Sequence, residues 1–300
     1  MKIILTLTTV VLAAAAAPAR AALDVFTCEP EWAALATELG GSLLNASSAT
    51  TPQQDPHYIQ ARPSLIAKVR SADLVLCTGA DLEVGWLPLL LRQAGNAAVQ
   101  PGRPGYMTAA DQVELLDKPA SLDRAAGDIH PYGNPHVQTD PRNIAKVAAA
   151  LAERLAMLDP ANAAAYRSRH ADFAARWQSA LERWTAAVAP LRGRQVITHH
   201  KGWVYLESWI GLVEVGNLEP KPGLPASAAH LAELLEQVKT QQVAAIIRST
   251  YEDAKASEWL AGRTSIPAVV LPHTVGSVPG ADDLFSMFDV IVKTLAEAQQ

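Results

Sequence analysis

The sequence predicts an α/β protein with two lobes, each built on a parallel sheet, and a long helix that joins them. Short apolar runs alternate with helical patterns before residue 140, and the same alternation resumes after Gly193. Between these parts lies an Ala-rich segment with spaced apolar residues and no strand-like run. Strands that alternate with helices are typical of a parallel sheet covered by helices. We therefore assign residues 22–158 to an N-terminal lobe, 159–190 to a linking spine helix and 191–300 to a C-terminal lobe.

The first lobe begins with the apolar run "LDVFTC", which predicts a strand, and "EPEWAALATELGG", which predicts a helix ended by glycine. A short helix in "PSLIAKVRSA" and a strand in "DLVLCTGA" follow, and this strand runs into a glycine turn. The run "GWLPLLLRQAG" predicts another helix, and "AAVQ" predicts a short strand. The order of these elements indicates βα units rather than hairpins.

The spine segment is Ala-rich and helical in pattern from residue 140 to about residue 189. Pro160 divides it into two helices, because proline removes a backbone donor and breaks a helix interior. The second helix, about thirty residues long, would span about 40 Å at a rise of ~1.5 Å per residue. A helix of that length can tie two lobes together.

The second lobe repeats the alternation of the first. Its predicted strands are "RQVITHH", "LVEVGNLE", "VAAIIRST" and "IPAVVLP". The segments between and after them predict helices in "KGWVYLESWIG", "SAAHLAELLEQVKTQ", "EDAKASEWLAGRTS" and "DDLFSMFDVIVKTLAEAQ". We therefore expect a second parallel sheet with helices on its faces.

The first 21 residues have the pattern of an export signal. Lys2 precedes an apolar run over residues 3–17, and residues 19–21 form a small-x-small cleavage motif. We predict a secretory signal peptide that is cleaved after Ala21, which places the mature protein in the periplasm. A membrane anchor is the alternative, but the apolar run is short for a bilayer span.

Composition and charge exclude several classes of function. The formal net charge is −5, and loss of Lys2 and Arg20 with the leader makes it −7. A mildly acidic protein is a poor candidate for nucleic-acid binding. No G-x-G-x-x-G stands at a strand-to-helix turn, and no G-x-x-x-x-G-K occurs, so nothing in the sequence favours nucleotide binding.

Two cysteines, Cys28 and Cys77, each end a predicted buried strand. If the two strands are neighbours, the sulfurs could form a disulfide in an oxidising compartment, and otherwise they are two small core residues. Two cysteines are too few for a zinc site made of thiolates alone, so a metal would be held by histidine and carboxylate.

Three places among the eight histidines fall in loops at the mouth of an α/β sheet. They are His57 in "DPHYIQ", His136 in "GNPHVQTDP", and the pair His199 and His200 at the end of "QVITHH". Such loops are where open α/β sheets bind ligands. Proline fixes the chain beside His57 and His136, which reduces the entropy lost when the imidazole binds. Neutral imidazoles from distant positions favour a metal site over a nucleophilic triad.

These motifs resemble the cluster A-I solute-binding proteins that supply zinc or manganese to ABC importers. The resemblance covers nearly the whole mature chain through "DPHYIQARPSLIAKVRSADLVLCTGADLEVGW", "GNPHVQTDPRNIAKVA", "VITHHKGWVYL", "LEPKPGLPASAAHLAELLEQVK" and "GADDLFSMFD". It implies two Rossmann-like lobes with one metal ion buried between them. It also implies a monomeric binding protein that delivers the ion to a permease in the inner membrane, with a metal-donating chaperone as a further partner.

The resemblance also implies which residues bind the ion. His57 matches the D-P-H motif, His136 matches the N-P-H motif, and His200 directly precedes Lys-Gly-Trp, with His199 as the alternative. Histidine rather than Glu at the third position implies Zn²⁺ in preference to Mn²⁺.

The fourth ligand is where the sequence departs from the family pattern. The family has Asp directly after the last strand, whereas this chain has Pro272-His273-Thr274 there. We select Asp283, at the start of the last helix, as the fourth ligand. The alternatives are Asp282, His273 and water, and both aspartates could instead cap the helix.

Five further residues are considered as candidates for a role at or near the site. His130 lies in a short loop where zinc-binding relatives carry a long His- and Asp-rich loop, so it is a candidate helper or a plain loop residue. Glu83 and Arg248 could orient a ligand imidazole, although an ion pair between the lobes is the favoured interpretation for both. His170 and His230 lie in helical patterns and are expected to be surface or packing residues.

The function expected from the sequence is capture of Zn²⁺ in the periplasm and its delivery to an ABC importer, without catalysis. A manganese importer component and a metal-binding adhesin or buffer without a transporter are the alternatives. A secreted zinc hydrolase is disfavoured, because the chain has no His-Glu-x-x-His motif.

Overall fold

The computed structural model describes residues 22–119, residue 127 and residues 129–298. The predicted leader and its cleavage site lie outside the described residues. The described part contains two four-stranded sheets, and every strand pair in both sheets is parallel. The predicted α/β fold with two parallel-sheet lobes is therefore confirmed.

The first sheet has the strand order β2-β1-β3-β4. Its strands are β1 (Leu23–Thr27), β2 (Leu44–Ser48), β3 (Leu74–Cys77) and β4 (Tyr106–Thr108). Its helices are α1 (Pro30–Gly40), α2 (Pro63–Ser71) and α3 (Leu87–Ala94). All three helices begin with proline in the first turn, where the missing N–H has no helical partner to lose.

Two features of the first sheet differ from the sequence prediction. The segment "AAVQ" is not a strand, because Ala97–Val99 forms a 3₁₀ turn capped by the side chain of Asn96. The fourth strand lies further on, at Tyr106–Thr108. The second strand, Leu44–Ser48, was not predicted, since its "LNASS" sequence has no apolar run. An edge strand that is only partly buried does not need one.

The middle of the chain forms two long helices, α4 (Pro141–Leu158) and α5 (Ala163–Val188). A 3₁₀ turn at Pro160–Asn162 separates them, as the proline predicted. Helix α5 packs against α4 and α1, and also against the last helix of the chain. Its buried face carries Trp177, whose indole Nε1 donates to the carbonyl of Pro141 at 2.8 Å.

The second sheet has the order β6-β5-β7-β8, which matches the first sheet in topology. Its strands are β5 (Gln195–Thr198), β6 (Val213–Asn217), β7 (Val243–Arg248) and β8 (Ala268–Val270). Its helices are α6 (Val204–Ile210), α7 (Ala228–Val238), α8 (Ala254–Ala261) and α9 (Leu284–Glu297). In each sheet, the strand order reverses between two neighbouring strands, β1 and β3 or β5 and β7, and their carboxyl ends form a crevice.

One contiguous apolar cluster joins the two lobes and the long helix. It contains Leu76 of the first sheet, Trp177 of α5 and Ile247 of the second sheet, all nearly or fully buried. A hydrogen bond from Thr274 Oγ1 to Glu31 Oε2 also connects the lobes. Because opening the lobes would expose part of this shared core, a wide hinge motion is disfavoured. No helix in the described part of the chain is long and apolar enough to cross a bilayer.

Candidate metal centre

Three of the predicted histidines meet between the lobes. His57, His136 and His200 each offer a ring nitrogen, and these nitrogens all lie within 4.8 Å of one another. Ring centroids are 5.4 Å apart for His57 and His136, 5.6 Å for His57 and His200, and 5.4 Å for His136 and His200. Three imidazoles at these separations converge on a point that one ion can occupy.

Two carboxylates fix the orientation of the His57 and His200 imidazoles. Asp55 Oδ1 lies 2.7 Å from Nδ1 of His57, and Glu219 Oε2 lies 2.8 Å from Nδ1 of His200. A carboxylate at Nδ1 favours the proton on that nitrogen and leaves the lone pair of Nε2 for a ligand. Both Nε2 atoms are therefore available as donors to a cation.

His136 is the most deeply enclosed of the three. Its Nε2, like that of His57, is buried and has no hydrogen-bond partner among the described residues. Buried polar atoms are normally paired, so two unpaired imidazole nitrogens aimed at one place indicate a missing partner. A metal ion is a partner that both lone pairs can share.

Asn134 holds the His136 loop against the second lobe. Its Oδ1 accepts the backbone N–H of His136 at 3.0 Å, and its Nδ2 donates to the carbonyl of Lys201 at 2.6 Å. The hydroxyl of Tyr205 donates to the carbonyl of Asn134 at 2.6 Å. Asn134 therefore positions His136 relative to His200, a role that the sequence reasoning missed although Asn134 begins the N-P-H motif.

The electrostatic surroundings differ between the imidazoles. Burial lowers the pKa of His136 well below 6.5, and positive charge on His200, His57 or His130 would lower it further. Burial also opposes protonation of His200, but the hydrogen bond and charge of Glu219 outweigh it and raise the pKa of His200. The pKa of His136 is therefore lowered and that of His200 is raised, so protons compete with a metal ion more strongly at His200 than at His136.

Asp283 does not lie with the three histidines. It is the N-cap of α9, where Oδ1 accepts the backbone N–H of Ser286 at 2.8 Å and the Ser286 hydroxyl accepts the backbone N–H of Asp283 at 2.9 Å. Both Asp283 and Asp282 are exposed. The capping interaction uses the carboxylate of Asp283 at the helix end, which is why it is absent from the group of converging ligands.

Two other histidines adjoin the cluster. The His130 ring lies 5.4 Å from that of His57, and His130 lines the cavity next to His136 and His200 as well as the cavity next to His57. His273 is buried, its ring stands edge-on to Tyr251, and its Nδ1 lies 3.4 Å from the hydroxyl of Thr250. Burial lowers the pKa of His273 to about 4. His130 therefore covers the cluster, whereas His273 packs beside it.

His199 faces away from the cluster. It lines a separate cavity with Leu231, Asp253 and Trp259 on the far side of the second sheet. His199 and His200 directly follow β5, and of the two only His200 belongs to the group of converging imidazoles.

Glu83 and Arg248 take neither of the roles expected from the sequence. Glu83 Oε1 accepts the backbone N–H of Thr78 at 2.7 Å, and Arg248 donates to the carbonyl of Ser249 at 3.2 Å. Neither forms an ion pair between the lobes among the described residues. The orienting carboxylates are instead Asp55, two residues before its histidine, and Glu219 in "LEPKPG".

The family described as zinc-uptake complex component A periplasmic (ZnuA) matches residues 25–298 of the chain. The chain belongs to this family. It is therefore a metal-binding solute-binding protein of an ABC importer and not an enzyme, which confirms the resemblance seen in the sequence.

The names of similar proteins mention different metals. The "High-affinity zinc uptake system protein ZnuA" of Paracoccus denitrificans (strain Pd 1222) is 25% identical over 306 residues, covering 90% of each chain. The "Manganese ABC transporter substrate-binding lipoprotein PsaA" of Streptococcus pneumoniae is 21% identical over 250 residues, covering 82% of this chain and 77% of that protein.

The fold of the ZnuA family is also found by comparison with solved structures. "Crystal structure of ZnuA" superposes with a TM-score of 0.77 at 22% identity, covering 93% of this chain and 100% of that one. This likeness agrees with the two parallel sheets and the long helix described above.

Proposed function

We propose that this protein captures Zn²⁺ in the periplasm and delivers it to the permease of an ABC importer. The observation that carries the proposal is the convergence of His57, His136 and His200, with carboxylates holding Nδ1 of two of them. We assign these three histidines as ligands of the transported ion. Three neutral imidazoles suit Zn²⁺, whereas Mn²⁺ favours carboxylate and water ligands.

We propose His130 for the fourth position of the ion. Its ring nitrogens are not among those that lie within 4.8 Å of one another, so this ligand would have to move toward the ion. Its ring lies as close to His57 as that of His136 does, and it lines the cavities on both sides of the cluster. In this position His130 would cover an ion held by the other three. Its displacement would then be the first step when the permease accepts the ion.

Zinc binding is tested by titration of the mature protein after removal of metal with a chelator. The protein is expected to bind about one Zn²⁺, with a rise in thermal midpoint that follows mass action, and to bind Mn²⁺ more weakly. The His136→Ala variant should lose this uptake. The control is His170→Ala, on the long helix, which should bind as the wild type does. Uptake unchanged in His136→Ala would refute the assigned site.

Export and cleavage are tested separately. Fractionation of cells that express the full chain should place the protein in the periplasm, and N-terminal sequencing should begin at Ala22. A full-length protein retained at the inner membrane would instead support an N-terminal anchor.

A further inference from the structure

The crevice of the first sheet holds a second group of metal-ligating side chains. Cys28 follows β1, Cys77 ends β3, and the two are joined by a disulfide with a Cα separation of 4.7 Å. The sulfurs and a carboxylate oxygen of Glu83 all lie within 4.8 Å of one another. The cysteines are fully buried and Glu83 is 2% exposed, so this group is enclosed by protein.

Two further polar residues, Thr78 and Glu29, adjoin this group. Thr78 donates its backbone N–H to Glu83 and its hydroxyl to Glu29 Oε2, at 2.7 and 2.9 Å. The carboxyl groups of Glu29 and Glu83 also hydrogen-bond to each other, which requires that one of the two carries a proton. No Lys or Arg forms an ion pair with Glu29 or Glu83 in the described part of the chain. A bound cation would take the place of the proton that these two carboxyl groups share.

The position of this group in the fold is that of a binding crevice. It lies at the carboxyl ends of β1 and β3, where the strand order of the first sheet reverses. Open α/β sheets bind ligands at this place. The histidine site uses the corresponding crevice of the second sheet through His200, which follows β5.

We propose that reduction of the Cys28–Cys77 disulfide converts this group into a second metal site, in which Cys28, Cys77 and Glu83 bind one Zn²⁺ and Glu29 lies beside it. In the oxidised protein neither sulfur carries a negative charge, so the disulfide blocks the site. Thiolates bind Zn²⁺ with high affinity, and two thiolates with a carboxylate form a ligand set that suits this ion.

The chemical step is a thiol–disulfide exchange with a dithiol. The dithiol supplies two electrons and two protons, the Cys28–Cys77 sulfur–sulfur bond breaks, and the dithiol itself becomes a disulfide. When the two cysteine thiols then bind the ion, they release two protons to water. The site is therefore open only before the disulfide forms or after a dithiol has reduced it.

The proposal is tested with Co²⁺, which reports thiolate ligands through a charge-transfer band in the near ultraviolet. The protein carries His136→Ala and His200→Ala, so that the histidine site cannot contribute. After treatment with a dithiol and its anaerobic removal, this variant should bind about one Co²⁺ and show the band. The oxidised variant should show neither. Because the histidine site is absent in both samples, the outcome is independent of the proposed function.

The matched variant Glu83→Gln distinguishes a metal site with three ligands from metal binding by the two cysteine thiolates alone. In the reduced protein it should weaken Co²⁺ binding at least about tenfold, since a ligand contributes more than an orienting partner does. Reduced protein with two titratable thiols and a native circular dichroism spectrum, but without the band, would overturn the proposal, as would an unchanged affinity in Glu83→Gln. If reduction unfolds the chain, Co²⁺ should restore the native spectrum, and failure to restore it would also overturn the proposal.

Discussion

The crevices of the two sheets differ in chemistry although their topology is the same. In the first sheet, Thr27 ends β1 and is followed by Cys28 and Glu29. In the second sheet, Thr198 ends β5 and is followed by His199 and His200. The first residue of each pair contacts its own lobe. Cys28 belongs to an apolar cluster and also lies beside Glu83, whereas His199 lines a cavity with Leu231.

Each crevice also has a glutamate that accepts a backbone N–H after the second central strand. Glu83 accepts from Thr78, and Glu252 accepts from Ser249. Burial raises the pKa of both carboxyl groups to about 7. The shared topology thus supplies similar backbone donors and carboxyls. The residues after the first strand decide whether the crevice holds a disulfide or a group of converging imidazoles.

The largest expected effect concerns the two adjacent histidines of the second crevice, which should differ in their contribution to Zn²⁺ binding. We expect His200→Ala to weaken Zn²⁺ binding by at least about a hundredfold, because it removes a proposed ligand together with the imidazole that Glu219 orients. His199→Ala should bind Zn²⁺ as the wild type does, since that side chain faces another cavity. Competition titration with a fluorescent chelator measures both. Equal losses in the two variants would contradict the assignment of His200 alone.

The disulfide of the first crevice should affect stability and leave Zn²⁺ binding by the histidines unchanged. It closes a loop with a sequence separation of 49 residues, and removal of such a link costs about 2–4 kcal/mol. We therefore expect the double variant Cys28→Ser, Cys77→Ser to unfold at lower denaturant concentration while still binding about one Zn²⁺ under oxidising conditions. If the double variant no longer bound this Zn²⁺, the two crevices would be coupled.

The carboxylate beside His200 should control how Zn²⁺ binding depends on pH. Glu219 outweighs the burial that opposes protonation of His200, so the pKa of His200 lies above 6.5 and affinity should begin to fall as pH drops through neutrality. In Glu219→Gln, the pKa of His200 should fall, and the loss of affinity should shift to lower pH. At pH 8 the variant should bind about tenfold more weakly, since the imidazole loses its charged acceptor.

Zinc titrations of both proteins between pH 8 and pH 5 measure this difference. Lys201→Ala is a suitable control, because Lys201 pairs with Asp117 rather than with a ligand. Identical pH profiles for wild type and Glu219→Gln would show that another imidazole sets the proton competition.

Much of this comparison was predictable from the sequence. The βα alternation predicted both sheets, and the loops that hold His57, His136 and the pair His199 and His200 predicted a metal site. The choice of His200 over His199 came from the family resemblance, through the Lys-Gly-Trp that follows it. These signals are local, because strand periodicity and X-Pro-His motifs act within a few residues. The sequence did not decide whether Cys28 and Cys77 form a disulfide, because their pairing depends on which strands are neighbours.

What the sequence did not predict depends on contacts between distant segments. Glu219 lies 19 residues after His200, and Asn134 reaches Lys201 across the interface between lobes. The edge strand Leu44–Ser48 is held by pairing with β1 and has no apolar run of its own. The sequence around Asp283 fitted both a helix cap and a metal ligand, and the capping box at the exposed start of α9 distinguishes the two.

The smallest expected effect concerns Asp283, which tests whether the second crevice takes a ligand from the last helix. Asp283→Ala should destabilise the protein by about 1 kcal/mol, because α9 loses its side-chain cap. It should leave Zn²⁺ affinity unchanged, whereas His130→Ala should lower that affinity without a comparable loss of stability. Urea unfolding and zinc titration of both variants separate the two roles. A loss of affinity in Asp283→Ala at wild-type stability would instead mean that the carboxylate leaves the helix end to bind the ion, and the capping interaction would then compete with metal binding.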